Sequence, residues 1–169
     1  MAESFALDAY MKISLRACGP EDEAFLYQVY ASTRADEMAL SGWNEEQRDA
    51  FLKMQFNAQQ RAYAWQFREA EHSIILVDEE MAGRLIVTRT SAEIRLTDIT
   101  LLPAYRNKGA GTLLVKELQG QAREANLPLR LRVLKTNTAA KRLYERLGFS
   151  QTDGSDTHWT MEWTPMAAA

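Results

Sequence analysis

The sequence predicts a single mixed α and β domain built on one central, largely antiparallel sheet, and three observations predict it. A chain of 169 residues suits one domain with one core. Three short apolar runs with β-branched residues follow one another in the middle of the chain, as consecutive antiparallel strands do. The helical segments fall in pairs or singly between groups of strands, without the strict β/α alternation of a doubly wound sheet.

Taken in order, Lys12 to Ala17 alternates polar and apolar residues and reads as a first strand. Gly19-Pro20-Glu21-Asp22 breaks it and starts a helix, with proline in the first turn and acids at the helix's positive end. Phe25, Leu26, Val29 and Tyr30 form that helix's apolar stripe. After a loop at Ser41-Gly42-Trp43, Asn44 is placed to cap a second helix running to about Phe67. Phe51, Met54, Ala58, Ala62 and Trp65 recur at three- and four-residue steps, which predicts that this face is buried. Ser73 to Val77 is a buried strand, Asp78 to Gly83 a turn, and Arg84 to Arg89 the return strand of a hairpin. Glu93 to Leu102 is a long strand ending at Pro103.

Gly109 to Asn126 reads as a third helix, with Leu113, Leu114, Leu118 and Ala122 inward and Pro128 beyond its end. Leu129 to Leu134 is a strand. Asn137 to Leu147 is a short helix, with Gly148 where a left-handed cap belongs. Two strands close the chain, near Phe149 to Thr152 and from Thr157 to Trp163, with Gly154 between them. The domain is expected over residues 11–165, with residues 1–10 a peripheral extension and the last few residues a peripheral tail.

Nearly half the residues (46%) are apolar and 25% are charged, which is the composition of an ordinary globular protein. The formal net charge of −3 lacks the basic surplus of a duplex-binding domain, so nucleic acid is not an expected partner. The lone Cys18 cannot form an intrachain disulfide. The acidic N-terminus has no signal-peptide core, and no run approaches the ~20 apolar residues of a membrane helix, so a cytoplasmic protein without membrane attachment is expected. No paired Cys or His spacing suggests a metal.

The chemistry concentrates where the strand ending at Leu101-Leu102-Pro103 runs into Arg106-Asn107-Lys108-Gly109-Ala110-Gly111-Thr112. The first turn of the following helix carries free N–H groups and the positive end of the dipole, a combination that binds phosphate. Gly109 and Gly111 would let a diphosphate approach the backbone, with Arg106 and Lys108 adding charge. A dinucleotide fingerprint would need glycine where Leu114 stands, and a P-loop would need four residues between its glycines. The remaining alternative is a helix start that merely requires small residues. Downstream, Asn137 and Tyr144 lie nearly two helical turns apart and project from a similar face. The Asn137 amide can donate and accept, as an amide-bearing cofactor arm requires, and the Tyr144 phenol is either a proton donor or a structural hydroxyl.

Arg-x-x-Gly-x-Gly at a strand–helix junction, followed by Asn-x-x-Ala-x-x-Leu-Tyr-x-x-x-Gly-Phe, resembles the GNAT superfamily of N-acetyltransferases. That resemblance implies a six- to seven-stranded splayed sheet flanked by about four helices. It implies that the pantetheine arm of acetyl-CoA pairs with Leu101 and Leu102 in the splay, with its pyrophosphate on the amides from Asn107 to Thr112. Asn137 would hold the pantetheine end, Lys141 would reach the adenosine phosphates, and Tyr144 would be the general acid to the departing thiolate. A neutral amine would attack the thioester directly, so a base is needed. Asp98 is the candidate base; Glu93 and Glu162 are the other carboxylates considered, and Arg132 stands where some relatives carry one. Cys18, His72 and His158 have no triad context, so a covalent acyl-enzyme is not expected. Trp43, Tyr63, Trp65, Trp159 and Trp163 are candidate pocket aromatics that core or rim packing also explains. The expected partners are acetyl-CoA and a primary amine, with a homodimer as a further expectation from the family. The alternative is a catalytically silent acyl-CoA-binding module.

Overall fold

The computed structural model describes residues 11–166, so the peripheral extension expected for residues 1–10 lies outside the described residues. The elements are β1 (Ile13–Ala17), α1 (Glu23–Ala39), α2 (Glu45–Gln66), β2 (Glu71–Val77), β3 (Glu80–Arg89), β4 (Ile94–Leu101), α3 (Ala110–Ala125), β5 (Leu129–Leu134), α4 (Thr138–Arg146), β6 (Ser150–Gly154) and β7 (His158–Trp163). Short 3-10 turns precede α1 and follow β4. The seven strands form one sheet in the order β1-β2-β3-β4-β5-β7-β6, and every neighbouring pair is antiparallel except β4 with β5. The predicted class and element order are therefore those observed. No described helix is long and apolar enough to cross a membrane.

The two helical layers follow from strand alternation. Ile75, Val77, Leu85, Val87, Leu129, Leu131 and Val133 share a buried cluster with Leu114, Val115, Leu118 and Ala122 of α3 and with Tyr144 of α4. Ile74 belongs instead to a cluster with Phe25, Leu26, Val29 and Tyr30 of α1 and Leu52 and Phe56 of α2. Each fully buried side chain of this size contributes roughly 1.5–3 kcal/mol. Gln119 of α3 donates to the carbonyl of Leu147 at 2.7 Å and so ties α3 to the end of α4.

Three local readings need correction. The turn between β2 and β3 is only Asp78-Glu79, whose positive φ angles (49° and 71°) suit a tight hairpin, and Gly83 lies inside β3. Leu113 is exposed, because Leu114, Leu118 and Val115 place the apolar stripe of α3 on another side. In α2 the buried residues are Leu52 and Phe56, whereas Met54 and Trp65 are exposed. The helix itself starts where expected. Asn44 accepts from the Gln47 amide at 2.9 Å and Gln47 answers on the Asn44 amide at 3.0 Å, a capping box. At the end of α4, Gly148 adopts φ 90°, the left-handed cap read from the sequence.

The N-terminal turn carries an acid-sensitive contact. Asp22 is 4% exposed and takes two bonds from the Arg16 guanidinium at 2.9 Å each and one from the Gly19 amide at 2.8 Å. The Arg16 bonds, followed by the Gly19 bond, hold its carboxyl down from 3.8 to about 2. A depressed folded value contributes stability above the unfolded value and loses it as pH falls through the folded one. Thermal melts followed by circular dichroism are therefore expected to lose stability between about pH 4 and pH 2, and Asp22→Asn is expected to flatten that slope. An unchanged slope in the variant would remove Asp22 as its source.

Two features of β4 position the site. Leu96 pairs with Val87 and Asp98 with Ile86, leaving Thr97 unopposed as a β-bulge. Ile94, Leu96, Ile99 and Leu101 consequently all pack on the α3 side, while Asp98 turns to the α1–α2 side. In addition, β4 and β5 pair only from Ile94 to Leu96 and from Leu129 to Leu131. Beyond that point no pairing joins the two strands, and the sheet opens between them.

Candidate functional site

The opening between β4 and β5 leads to the N-terminus of α3. Leu113 donates to the Gly109 carbonyl at 3.0 Å, the first helical bond of this segment. The amides from Asn107 to Thr112 bond to no other described residue, which leaves a run of free donors at the positive end of a 16-residue helix. The turn that aims them requires left-handed backbone at Asn107 (φ 59°) and Gly109 (φ 91°). Asparagine tolerates that region and glycine prefers it. A Cβ built at Gly111 would meet nothing within 4 Å, so the space next to this backbone is open. Lys108 has no ion-pair partner among the described residues. Arg106 folds back instead, donating to the Leu101 carbonyl at 2.8 Å and to the Ser32 hydroxyl of α1 at 3.3 Å.

The expected strand-like contacts at Leu101 and Leu102 separate. The Leu102 amide donates to Ala82 of β3 at 2.8 Å and its carbonyl accepts from Tyr105 at 2.9 Å. Since successive residues direct their backbone groups to opposite edges, Leu102 is turned toward β3 and Leu101 toward the opening. The Leu102 backbone groups are thus bonded within the protein, whereas those of Leu101 face the opening.

Across the opening, Asn137 caps α4. Its Oδ1 accepts from the Ala140 amide at 3.1 Å, its backbone amide donates to Leu134 at 2.9 Å, and it is exposed. Only its side-chain NH2 is uncommitted. Lys141 is paired with Glu145 one turn on, so its charge is already shared. Tyr144 is buried at 8% exposure and stands edge-on to Phe149 at 5.6 Å. Its hydroxyl makes no hydrogen bond to a described residue. Burial, and then the negative charge of Asp98, push the phenol up to about 12, so it holds its proton throughout the neutral range.

Asp98 is not a free carboxylate. Its Oδ2 accepts from Nε and Nη2 of Arg84 at 2.8 and 2.5 Å, and its Oδ1 accepts from the Thr100 hydroxyl at 3.0 Å. Three of the roughly four acceptor positions of a carboxylate are filled, and one remains on Oδ1. Arg84 is 4% exposed, and its Nη1 is buried without a hydrogen-bond partner. The Tyr63 ring of α2 faces its guanidinium at 5.7 Å. Burial and then the Arg84 charge push the imidazole of His72 down. Arg84, Thr100 and His72 had no assigned role in the sequence. The one available signal was an arginine directly before the apolar run Leu85-Ile86-Val87.

The other carboxylates lie elsewhere. Glu93 accepts from Arg95 at 2.8 Å and Arg130 at 2.6 Å, and Glu162 accepts from Arg130 at 2.6 Å. This ion cluster sits at the paired end of β4 and β5 rather than in the opening. Arg132 reaches Ser155 at 3.4 Å. Burial pushes the Cys18 thiol up, which disfavours the thiolate an acyl carrier would need. Of the candidate aromatics only Tyr63 reaches the Asp98 group. Trp43 packs on Phe51, and Trp65, Trp159 and Trp163 lie under Arg68, Lys135 and Arg123.

A strand pair that opens toward a helix N-terminus bearing free amides offers room and donors for an extended, phosphate-bearing molecule. The model of the acetyltransferase (GNAT) family matches residues 26–149, and the chain belongs to that family. No curated protein matches the chain. Among solved structures, the fold is similar to the PaiA N-acetyltransferase of Thermoplasma acidophilum, solved with coenzyme A, at 19% identity and a TM-score of 0.67 over 91% of this chain and 99% of that one. It is also similar to the ribosomal-protein-S18-alanine N-acetyltransferase of Escherichia coli, at 19% identity and a TM-score of 0.62 over 93% and 97%. A third is the N-acetyltransferase PseH of Campylobacter jejuni, at 18% identity and 0.57 over 90% and 97%.

Proposed function

We propose that this protein transfers an acetyl group from acetyl-CoA to the nitrogen of a primary amine, by direct attack with both substrates bound. The observation that carries this reading is the pairing of a free-amide cradle with a buried, protonated Tyr144 on opposite sides of one opening in the sheet. The amides from Asn107 to Thr112 would hold the pyrophosphate, assisted by Lys108. The Leu101 edge of β4 would pair with the pantetheine arm once Arg106 releases its carbonyl, and Arg106 would then be available to a phosphate. The NH2 of Asn137 would donate to an amide carbonyl of that arm. Acetyl-CoA, when bound, supplies the thioester.

Tyr144 would hold its proton at Oη for the departing sulfur. Its high proton affinity keeps it a donor at neutral pH, as this role requires. Asp98 has one acceptor position left, which suits it to receive an N–H of the incoming amine or an O–H of a water that takes the proton. Lys141 is a weaker candidate for the adenosine phosphates because Glu145 competes for it. A second reading, an acyl-CoA-binding module without turnover, is favoured by the ion-pairing of Glu93, Asp98 and Glu162.

Calorimetry with acetyl-CoA, followed by thiol release across an amine panel, tests the proposal. Binding at micromolar to millimolar levels with release on at least one amine is the expected result. Binding without release would favour the second reading, and no binding would sink both. Gly111→Trp adds a check: a Cβ at this position meets nothing within 4 Å, so with the fold verified by circular dichroism the variant is expected to lose binding.

A further inference from the structure

The Arg84 guanidinium carries more N–H donors than the chain uses. Its Nε and Nη2 lie 2.8 and 2.5 Å from Oδ2 of Asp98, which occupies one edge of the fork. The adjoining edge, formed by Nη1 and the second hydrogen of Nη2, meets no acceptor among the described residues, and Nη1 is buried. The other buried polar atoms without a partner belong to Arg48, Gln59, Thr88 and Thr97, all partly exposed residues, whereas Arg84 is 4% exposed. A buried charged donor left without an acceptor is costly, so it points to a partner that arrives from outside the chain.

Strand register sets what surrounds that edge. Arg84 lies opposite Ile74 of β2 and Thr100 of β4, and Ile86 lies opposite His72 and Asp98. Residues two apart share a face, so His72, Arg84, Asp98 and Thr100 form one polar patch on the α1–α2 side. Tyr63, one turn from the end of α2, lays its ring over the guanidinium at 5.7 Å. A ring face stabilises the cation but supplies no lone pair to Nη1. Tyr63, His72, Asp98 and Thr100 are half-buried rather than sealed off, and the Tyr63 hydroxyl bonds to no described residue.

Resting on the acetyl-transfer reading above, we infer that the acceptor is a small amine carrying a carboxylate, an amino acid in the chemical sense, and that the free edge of Arg84 binds this carboxylate. The guanidinium fork matches a planar carboxylate with parallel N–H···O bonds. The acceptor's amine goes to the open position on Oδ1 of Asp98. One ion pair therefore holds both ends of the acceptor, and its nitrogen and carboxylate stand only a few bonds apart. The charges balance, because the acceptor adds one anion and one cation to a pair that is already neutral. A phosphate dianion would leave the buried group with excess negative charge, and an amine without an anion would leave Nη1 unpaired. The Tyr63 ring moves aside to admit the carboxylate.

Thiol release by the wild type on matched acceptors tests this. Amino acids, α-amino and ω-amino alike, are each compared with their carboxamide and with the amine that lacks the carboxylate, per unprotonated amine. The acids should be preferred by at least about tenfold in kcat/KM, the worth of one charge-assisted bond. Arg84→Lys keeps a cation beside Asp98 but replaces the fork by a point charge, so the preference should fall to within a few-fold of unity. A damaged fold would lower all rates together and leave the ratio intact; should the variant fail to fold, the wild-type comparison decides alone. Turnover of the amides and plain amines as efficient as that of the acids overturns the inference and leaves acetyl transfer in place. A preference that survives Arg84→Lys in folded protein overturns it too, by moving the carboxylate to another residue. Release from no acceptor, in protein that binds acetyl-CoA, overturns the transfer reading and this inference with it.

Discussion

Tyr144→Phe is expected to lower turnover by about 10²- to 10⁴-fold, the usual range for a positioned general acid, while acetyl-CoA affinity stays within a few-fold of wild type. The substitution removes one oxygen and little else. The ring keeps its edge-on contact with Phe149, and no hydrogen bond to a described residue is lost, so stability should barely change. Folding effects and catalytic effects are thereby separated. The phenol, held near 12 by burial and by Asp98, is a weak acid, but it remains protonated where thiolates form. Thiol release measured at saturating acetyl-CoA, with calorimetry alongside, reads both quantities. Equal rates in variant and wild type would remove Tyr144 from the chemistry.

The largest stability effect is expected at Asp98. Removing its charge leaves the Arg84 guanidinium buried without a counter-ion, since Asp98 is its only ion-pair partner among the described residues. Breaking a buried pair from one side costs about 3–5 kcal/mol, and replacing both partners by apolar groups costs far less. Asp98→Asn should therefore lower the melting temperature by roughly 6–20 °C for a chain of this size. Arg84→Met combined with Asp98→Leu should recover most of the loss while remaining inactive if Asp98 meets the amine. A single variant that melts within a degree or two of wild type would show that the pair is not structural. Active Asp98→Asn at wild-type rate would remove Asp98 from the reaction.

Much of this was legible in the linear order of residues. The helix and strand sequence follows from local periodicity, the cap at Asn44 from residue chemistry, and the start of α3 from two glycines placed where a helix opens. These features depend on neighbours only a few positions away. The register of β3 against β4 is different. A plain hairpin would carry Asp98 to the same side as Leu96, and only the unopposed Thr97 turns it toward α1 and α2, where Arg84 meets it. No residue type announces that bulge. The withdrawal of Leu102 toward Ala82 and the folding-back of Arg106 onto Leu101 likewise arise from contacts between segments.

The second helix shows the same division. Its length and start are local properties, but it carries two apolar stripes, Leu52-Phe56 and Met54-Ala58-Trp65, and periodicity alone does not rank them. Packing against α1 and β2 selects the first. By itself, then, the sequence determined the class of fold, the order of elements, the glycine-bearing start of α3 and the family to which they point. Which face of each element turns inward, and which carboxylate is committed to an arginine, were decided only when strands and helices met. Burial and ion pairing are properties of that meeting rather than of any one segment.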